Sequence, residues 1–282
     1  RGVHTAVDFL REAGEKERFD LGGEVIVIGG GNVAVDAARV STRCTAGRVS
    51  MFCLESRDEM PASREEILEA SEENIAINNG WGPKEILTEN GRAVGVVFRK
   101  CVRVFDENHR FAPVYDEEDV MTVPCSDVIF SVGQGVFWGD LLKESKVALR
   151  SNSGVLADRL TFQTAEPDIF VGGDVITGPK FAIDAIAAGR EGAVSLHRYV
   201  QEHCTLTIGR NIRYFIELDK EDLFIAGYDN TDRQRPEKAE ESQLRSFRDL
   251  SHTLTEEQVK AETSRCLGCG ASVVDPNKCI GC

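Results

Sequence analysis

The sequence predicts an α/β protein built around a parallel sheet and closed by a cysteine-rich metal module, and three observations carry that expectation. The apolar run Glu24-Val25-Ile26-Val27-Ile28 breaks into Gly29, Gly30 and Gly31 and then into a helical pattern beginning Asn32-Val33-Ala34. A second apolar run, residues 47–54, follows that helix and delivers Glu55 at its end. Four cysteines, Cys266, Cys269, Cys279 and Cys282, crowd the last seventeen residues. Strand, glycine turn, helix and second strand in this order make a Rossmann-like unit.

Residues 3–13 place Val3, Ala6, Val7 and Leu10 at helical spacing before Gly14, which predicts a helix leading into the first strand. In the glycine turn, Gly29 allows the bend and Gly31 lets the backbone approach a pyrophosphate. Ala34 is the small residue that lets helix and strand pack, as G-x-G-x-x-G/A requires. The helix start, with Asn32 and Val33, offers N–H groups and a positive dipole end to phosphates. A plain strand-turn-helix is the bland alternative. Arg39 and Arg43 close this helix.

Glu55 stands about twenty residues past the glycines, where a carboxylate accepts hydrogen bonds from both ribose hydroxyls and repels a 2′-phosphate. That favours NAD(H) over NADP(H). Ser56 and Arg57 continue the same loop, and Arg57 is the group that would pair with a 2′-phosphate. A solvated loop carboxylate is the other reading of Glu55.

Ser63-Arg64-Glu65-Glu66 reads as a capping box opening a further helix, followed by an Asn78-Asn79-Gly80 turn. Residues 84–87, 93–104 and 121–123 are rich in β-formers. They are separated by Glu89-Asn90-Gly91-Arg92 and by an acidic loop, which predicts an antiparallel meander. Residues 126–132 read as a buried strand returning to the parallel sheet and ending in a turn at Gly133 and Gln134. A second such strand, 168–171, ends in Gly172, Gly173 and Asp174, and a helix follows Pro179 over residues 181–200. On local sequence Gly172-Gly173-Asp174 reads equally as a turn and a helix cap. Residues 204–253 are less regular, with a polar run over 229–248, and no internal repeat is present.

At 282 residues with 41% hydrophobic content the chain has enough material for one large or two modest domains. A formal net charge of −14 argues against nucleic acid and anionic membrane surfaces as partners. The carboxylate runs at 64–73, 116–119 and 237–241 read as solvated faces and loops. No stretch approaches the roughly 20 apolar residues of a membrane span, and no signal segment opens the chain. The other five of the nine cysteines are scattered, and an odd total points to reduced thiols in a reducing compartment, hence a cytoplasmic protein.

The tail reads C-x2-C-x9-C-x2-C, in which each pair lets two thiolates from one tight turn grip a metal centre. The spacing fits a four-cysteine zinc ribbon as well as an iron–sulfur cluster.

The motifs Val27-Ile28-Gly29-Gly30-Gly31-Asn32-Val33-Ala34, Arg57-Asp58-Glu59-Met60-Pro61-Ala62, Ser131-Val132-Gly133-Gln134, Val171-Gly172-Gly173-Asp174 and Arg265-Cys266-Leu267-Gly268-Cys269-Gly270 occur in one order along nearly the whole chain. In that order the chain resembles the FAD-dependent pyridine-nucleotide oxidoreductases that include the glutamate synthase small chain and related flavoproteins of electron-bifurcating complexes. The resemblance implies a nicotinamide-binding domain inserted in a FAD-binding domain. It implies FAD contacts from Gly133, Gln134, Gly173, Asp174 and Lys180, with Asp174 on the ribityl chain and the helix after Pro179 aimed at the flavin. It implies domains at 1–18 (lead-in helix), 19–133 (NAD(H) domain), 134–203 (C-terminal part of the FAD domain), 204–262 (irregular extension) and 263–282 (metal module).

Two departures from the family pattern bear on function. Members that take NADP(H) carry an arginine pair where this chain has Leu54 and Glu55, which strengthens the NADH reading. The N-terminal FAD half, with its own glycine fingerprint, is missing, so the expectation is a partial FAD site in a fragment or processed chain. Cys279-Ile280-Gly281-Cys282 looks like the start of a ferredoxin run, which tilts the metal toward [4Fe-4S]. The implied activity is hydride transfer from nicotinamide carbon 4 to FAD nitrogen 5, then electron transfer through iron–sulfur centres to partner subunits of a redox complex, with no catalytic side chain required. The rival expectation is a non-catalytic nucleotide-binding subunit with a structural zinc clip.

Overall fold

The computed structural model describes residues 1–45, 47–108, 110–133, 135–210, 226–227, 229, 231–237, 245–248 and 252–268. They fall into two compact units, one of residues 1–132 with the described residues beyond 222, the other of residues 133–221.

The first unit runs β1 (Val3–Thr5), α1 (Ala6–Lys16), β2 (Glu24–Ile28), α2 (Asn32–Cys44), β3 (Arg48–Cys53), α3 (Arg64–Glu72), β4 (Ala76–Asn79), β5 (Trp81–Glu89), β6 (Arg92–Phe105), β7 (Phe111–Pro124) and β8 (Asp127–Phe130). Five strands form a parallel sheet in the order β1-β8-β2-β3-β4, and β5-β6-β7 form an antiparallel sheet. Central β2 is covered on both sides, which is why it reads as an unbroken apolar run. Val25 and Val27 join a core with α1, α2 and α3, whereas Ile26 and Ile28 join one with the meander. Phe52 of β3 stacks on Phe98 of β6 with ring centroids 4.1 Å apart, fastening the two sheets.

Several expectations give way here. Val3–Thr5 is a strand rather than the first turn of a helix, because it pairs with β8, and Thr5 then caps α1 through Asp8 N. Gly14 lies inside α1, which ends instead at left-handed Glu17. Asn78 and Asn79 belong to β4, and the turn narrows to Gly80. The two amides are satisfied across the strand end, Asn78 donating to Met51 O and Asn79 to Glu55 O, both at 3.1 Å. The acidic residues 116–119 lie within β7, where Glu117 is held by Lys84 and Arg99.

The second unit carries α4 (Asp174–Thr177) and α5 (Ala182–Tyr199), the latter close to its expected span. The expected strand at 168–171 is reduced to an isolated bridge between Phe170 and Gln163. Its amides are taken locally, Ile169 N by Glu166 O and Val171 N by Phe162 O. Within the expected irregular stretch 204–262, the first unit gains α6 (Glu256–Ser264), opened by a capping box of Thr255 and Gln258. Phe247 packs on the helix-side core, and Arg43 Nε donates to Ser246 O at 3.0 Å.

Candidate dinucleotide site

The C-terminal ends of β2 and β3 meet at the glycine turn. Gly29 N donates to Phe52 O at 2.9 Å, which draws the turn against β3. Its φ of +146° suits glycine alone, and a Cβ there would lie 2.4 Å from Ser131 O. Gly30 is close-packed rather than strained. A Cβ on it would come within 2.7 Å of Glu55 Oε2 and 3.1 Å of Cys53 Cβ, so its bareness lets Glu55 lie against the turn. Gly31, the N-cap of α2 in extended conformation, faces open space: a Cβ there would meet nothing within 4 Å. No packing within the chain demands glycine at this position.

Asn32 and Val33 open α2, and buried Ala34 packs the helix onto β2. Asn32 Oδ1 accepts from Ser63 N at 2.9 Å, and Gly30 O accepts from Ala62 N at 3.1 Å, so the loop before α3 braces the turn. Glu55 is half-buried, and its carbonyl accepts from Asn79 Nδ2 and from Gly80 N. Burial and the nearby Glu55 charge push the Cys53 thiol up to about 12, leaving it an inert neutral wall. Asn79 was missed as a positioning residue because Asn-Asn-Gly reads as a turn, and only the pairing of β4 with β3 reveals its target.

Ser56 and Arg57 are exposed and line a cleft of about 530 Å³ together with Lys100 to Phe105 of β6 and Asp106 just beyond it. The chain thus brings Gly29 to Ala34 and Glu55 together, with Ser56 and Arg57 just beyond.

Gly133, Gly173, Asp174 and Lys180 belong to the second unit. Gly133 is exposed with φ +68°, and Gln134 lies outside the described residues. Gly173, φ +73°, precedes Asp174 at the start of α4. Asp174 is exposed and its Oδ1 accepts from Lys180 N at 3.3 Å, which joins two of the expected contacts. Asp184 at the start of α5 accepts from Phe181 N, so this helix start is ordered by its own carboxylate.

Of the four tail cysteines, Cys269, Cys279 and Cys282 lie outside the described residues. Cys266 is exposed, and Gly268 N donates to its Sγ at 3.4 Å with Gly268 at φ +62°. Among the described residues no group of three metal-ligating side chains converges, and no helix is long and apolar enough to cross a membrane.

The profile of the pyridine nucleotide-disulphide oxidoreductase family matches residues 1–189. The chain is 29% identical to the NADP(+)-dependent formate dehydrogenase subunit beta of Moorella thermoacetica, over 95% of this chain and 39% of that protein. It is 30% identical to the NAD-dependent dihydropyrimidine dehydrogenase subunit PreT of Escherichia coli O157:H7, over 72% and 43%. It is 33% identical to the glutamate synthase [NADPH] small chain of Escherichia coli K12, over 64% and 39%. The chain therefore spans about two fifths of these relatives' length. In fold it is similar to the thioredoxin reductase of T. acidophilum, with TM-score 0.53 and 20% identity over 70% of this chain and 57% of that one.

Proposed function

Because this chain belongs to the pyridine nucleotide-disulphide oxidoreductase family, we propose that its first unit binds NADH as the electron-donating half of a flavin-dependent oxidoreductase subunit. The observation that carries the reading is the glycine turn itself. Gly29 is fixed by the chain's own packing, whereas Gly31 is left open at a helix start where a pyrophosphate would lie. Glu55, held by Asn79 and Gly80, would take the ribose hydroxyls. Relatives of both NAD- and NADP-dependent description match, so the preference for NADH rests on Glu55 and on the absence of an arginine pair at 54 and 55.

FAD would be held in part by Gly173, Asp174 and Lys180, with Gly133 and Gln134 contributing. Asp174 fits the role because its carboxylate is exposed at a glycine turn and has an unshared oxygen beyond the Lys180 contact. When bound, FAD supplies hydride acceptance. The chain's part is to hold the nicotinamide nucleotide and exclude the phosphorylated one. Relatives described as subunits support partner chains as the electron acceptors, reached through an iron–sulfur centre at Cys266, Cys269, Cys279 and Cys282.

A second reading is a nucleotide-binding subunit without turnover, clipped by zinc. The N–H to Sγ bond at Cys266 suits a metal-bound sulfur in zinc and iron sites alike. The test of the first reading is titration of the full chain with NADH and NADPH, followed by fluorescence. NADH should bind about tenfold more tightly than NADPH, and Glu55→Gln should weaken NADH and narrow that ratio. Equal affinities in the unaltered chain would count against it.

A further inference from the structure

Helix α6 has no buried residue, and hydrogen bonds attach it to residues 231–235. Gln234 N donates to Glu262 Oε1 at 2.6 Å, and Gln258 Nε2 donates to Arg235 O at 3.0 Å. Arg265, at the end of the helix, closes the attachment. Its Nη2 donates to Glu262 Oε1 at 2.6 Å and its Nε to Glu262 Oε2 at 3.2 Å, a forked grip on one carboxylate. The same guanidinium also donates to Thr231 O and, at 3.3 Å, to Asp232 O. Asp229 stiffens the turn that offers these carbonyls, its Oδ1 accepting from Thr231 N at 2.9 Å and from Thr231 Oγ1. In consequence the Arg265 side chain is only 15% exposed on a helix that is otherwise open.

Cys266 follows directly. Its N donates to Thr263 O at 3.2 Å, and its Sγ accepts from Gly268 N at 3.4 Å, with Gly268 at φ +62°. An amide aimed at a sulfur two residues back has the chemistry that supports a metal-bound cysteine, so Cys266 fits the metal reading. Groups that orient a ligand without touching the metal govern affinity along with the ligands themselves.

We infer that Arg265 is a positioning residue for the cysteine module: gripped by Glu262, it pins the backbone just before Cys266 to the carbonyls of Thr231 and Asp232 and so presents the Cys266 sulfur to a metal. The inference rests on the metal reading of the cysteine tail and adds to it a residue that coordinates nothing. Lysine cannot take its place, because an ammonium lacks the planar fork that spans a carboxylate and two carbonyls at once.

The test is anaerobic titration of the reduced, metal-free full chain with cobalt(II), followed by the thiolate-to-cobalt absorption, in the unaltered protein, Arg265→Gln, Arg265→Lys and Gln258→Ala. Both Arg265 variants should bind cobalt about 10- to 100-fold more weakly than the unaltered chain. Gln258→Ala removes the α6 cap and the bond to Arg235 without touching the guanidinium, and should change the affinity by less than about threefold. An affinity unchanged in Arg265→Gln, preserved in Arg265→Lys, or weakened as much in Gln258→Ala would overturn the inference while leaving the metal reading standing. An unaltered chain that shows no thiolate-to-cobalt absorption would overturn both.

Discussion

At the scale of single residues, the glycine turn divides into positions the fold needs and a position it leaves open. Gly29 belongs to the first kind, with φ +146° and Ser131 O where a Cβ would go. Gly29→Ala should cost about 1–3 kcal/mol, from strained backbone and crowding, and lower the thermal midpoint. An unchanged midpoint would mean the turn is not held as described. The turn at Gly29 and the close packing of Ala34 were legible in the sequence because the spacing of a glycine fingerprint encodes them. Gly30 was legible only as part of the run, since its partner, the Glu55 carboxylate, arrives from another strand. For the same reason Asn79 was not legible: its amide reaches Glu55 O across a strand pairing that local sequence does not announce.

At the scale of elements, β2 and α2 were legible because a strand buried on both faces and an amphipathic helix have distinct periods. The short β1 was not, since Val3-His4-Thr5 fits a helical pattern until β8, more than a hundred residues later, pairs with it. Helices α2 and α3 are joined by a buried ion pair, with Glu73 bridging Arg43 at 2.8 Å and Arg39 at 2.8 Å. The side chains of Glu73 and Arg43 are 5% and 8% exposed. Burial pushes the Glu73 carboxyl up, but hydrogen bonds from Arg43 and Arg39 outweigh it and hold it below its ordinary value.

A carboxylate with a depressed folded pKa stabilises the fold above its unfolded pKa, and that contribution fades as pH falls through the folded value. Stability from this pair should therefore be complete at neutral pH and decline below about pH 4.3. Glu73→Ala should cost about 3–5 kcal/mol at pH 7 by leaving Arg43 buried without its carboxylate, and should flatten this acid decline. Denaturant unfolding at pH 7 and in mild acid checks both. The sheet-to-meander contact makes a parallel case: Phe98→Ala, at a fully buried ring, should cost about 3–5 kcal/mol.

At the scale of the whole molecule, the order of strands, glycine turn, meander and returning strand was readable, because each step has its own periodicity and punctuation. The grouping of α6 and the segment around Phe247 with the first unit was not, since a polar, charged sequence gives no sign of where it docks. The metal module is tested by elemental analysis of anaerobically purified full chain. Iron with acid-labile sulfide, lost in Cys266→Ser, is the expected result, and stoichiometric zinc would instead support the structural clip.

The central claim, that the first unit holds a dinucleotide on the open side of the glycine turn, is tested most directly by NADH binding to Gly31→Val. Since a Cβ there meets nothing in the protein and the backbone is extended, the thermal midpoint should stay within about 3 °C of the unaltered chain. NADH binding should fall by at least about a hundredfold, because the side chain stands where the pyrophosphate must approach. A folded Gly31→Val that binds NADH as tightly as the unaltered chain would contradict the account.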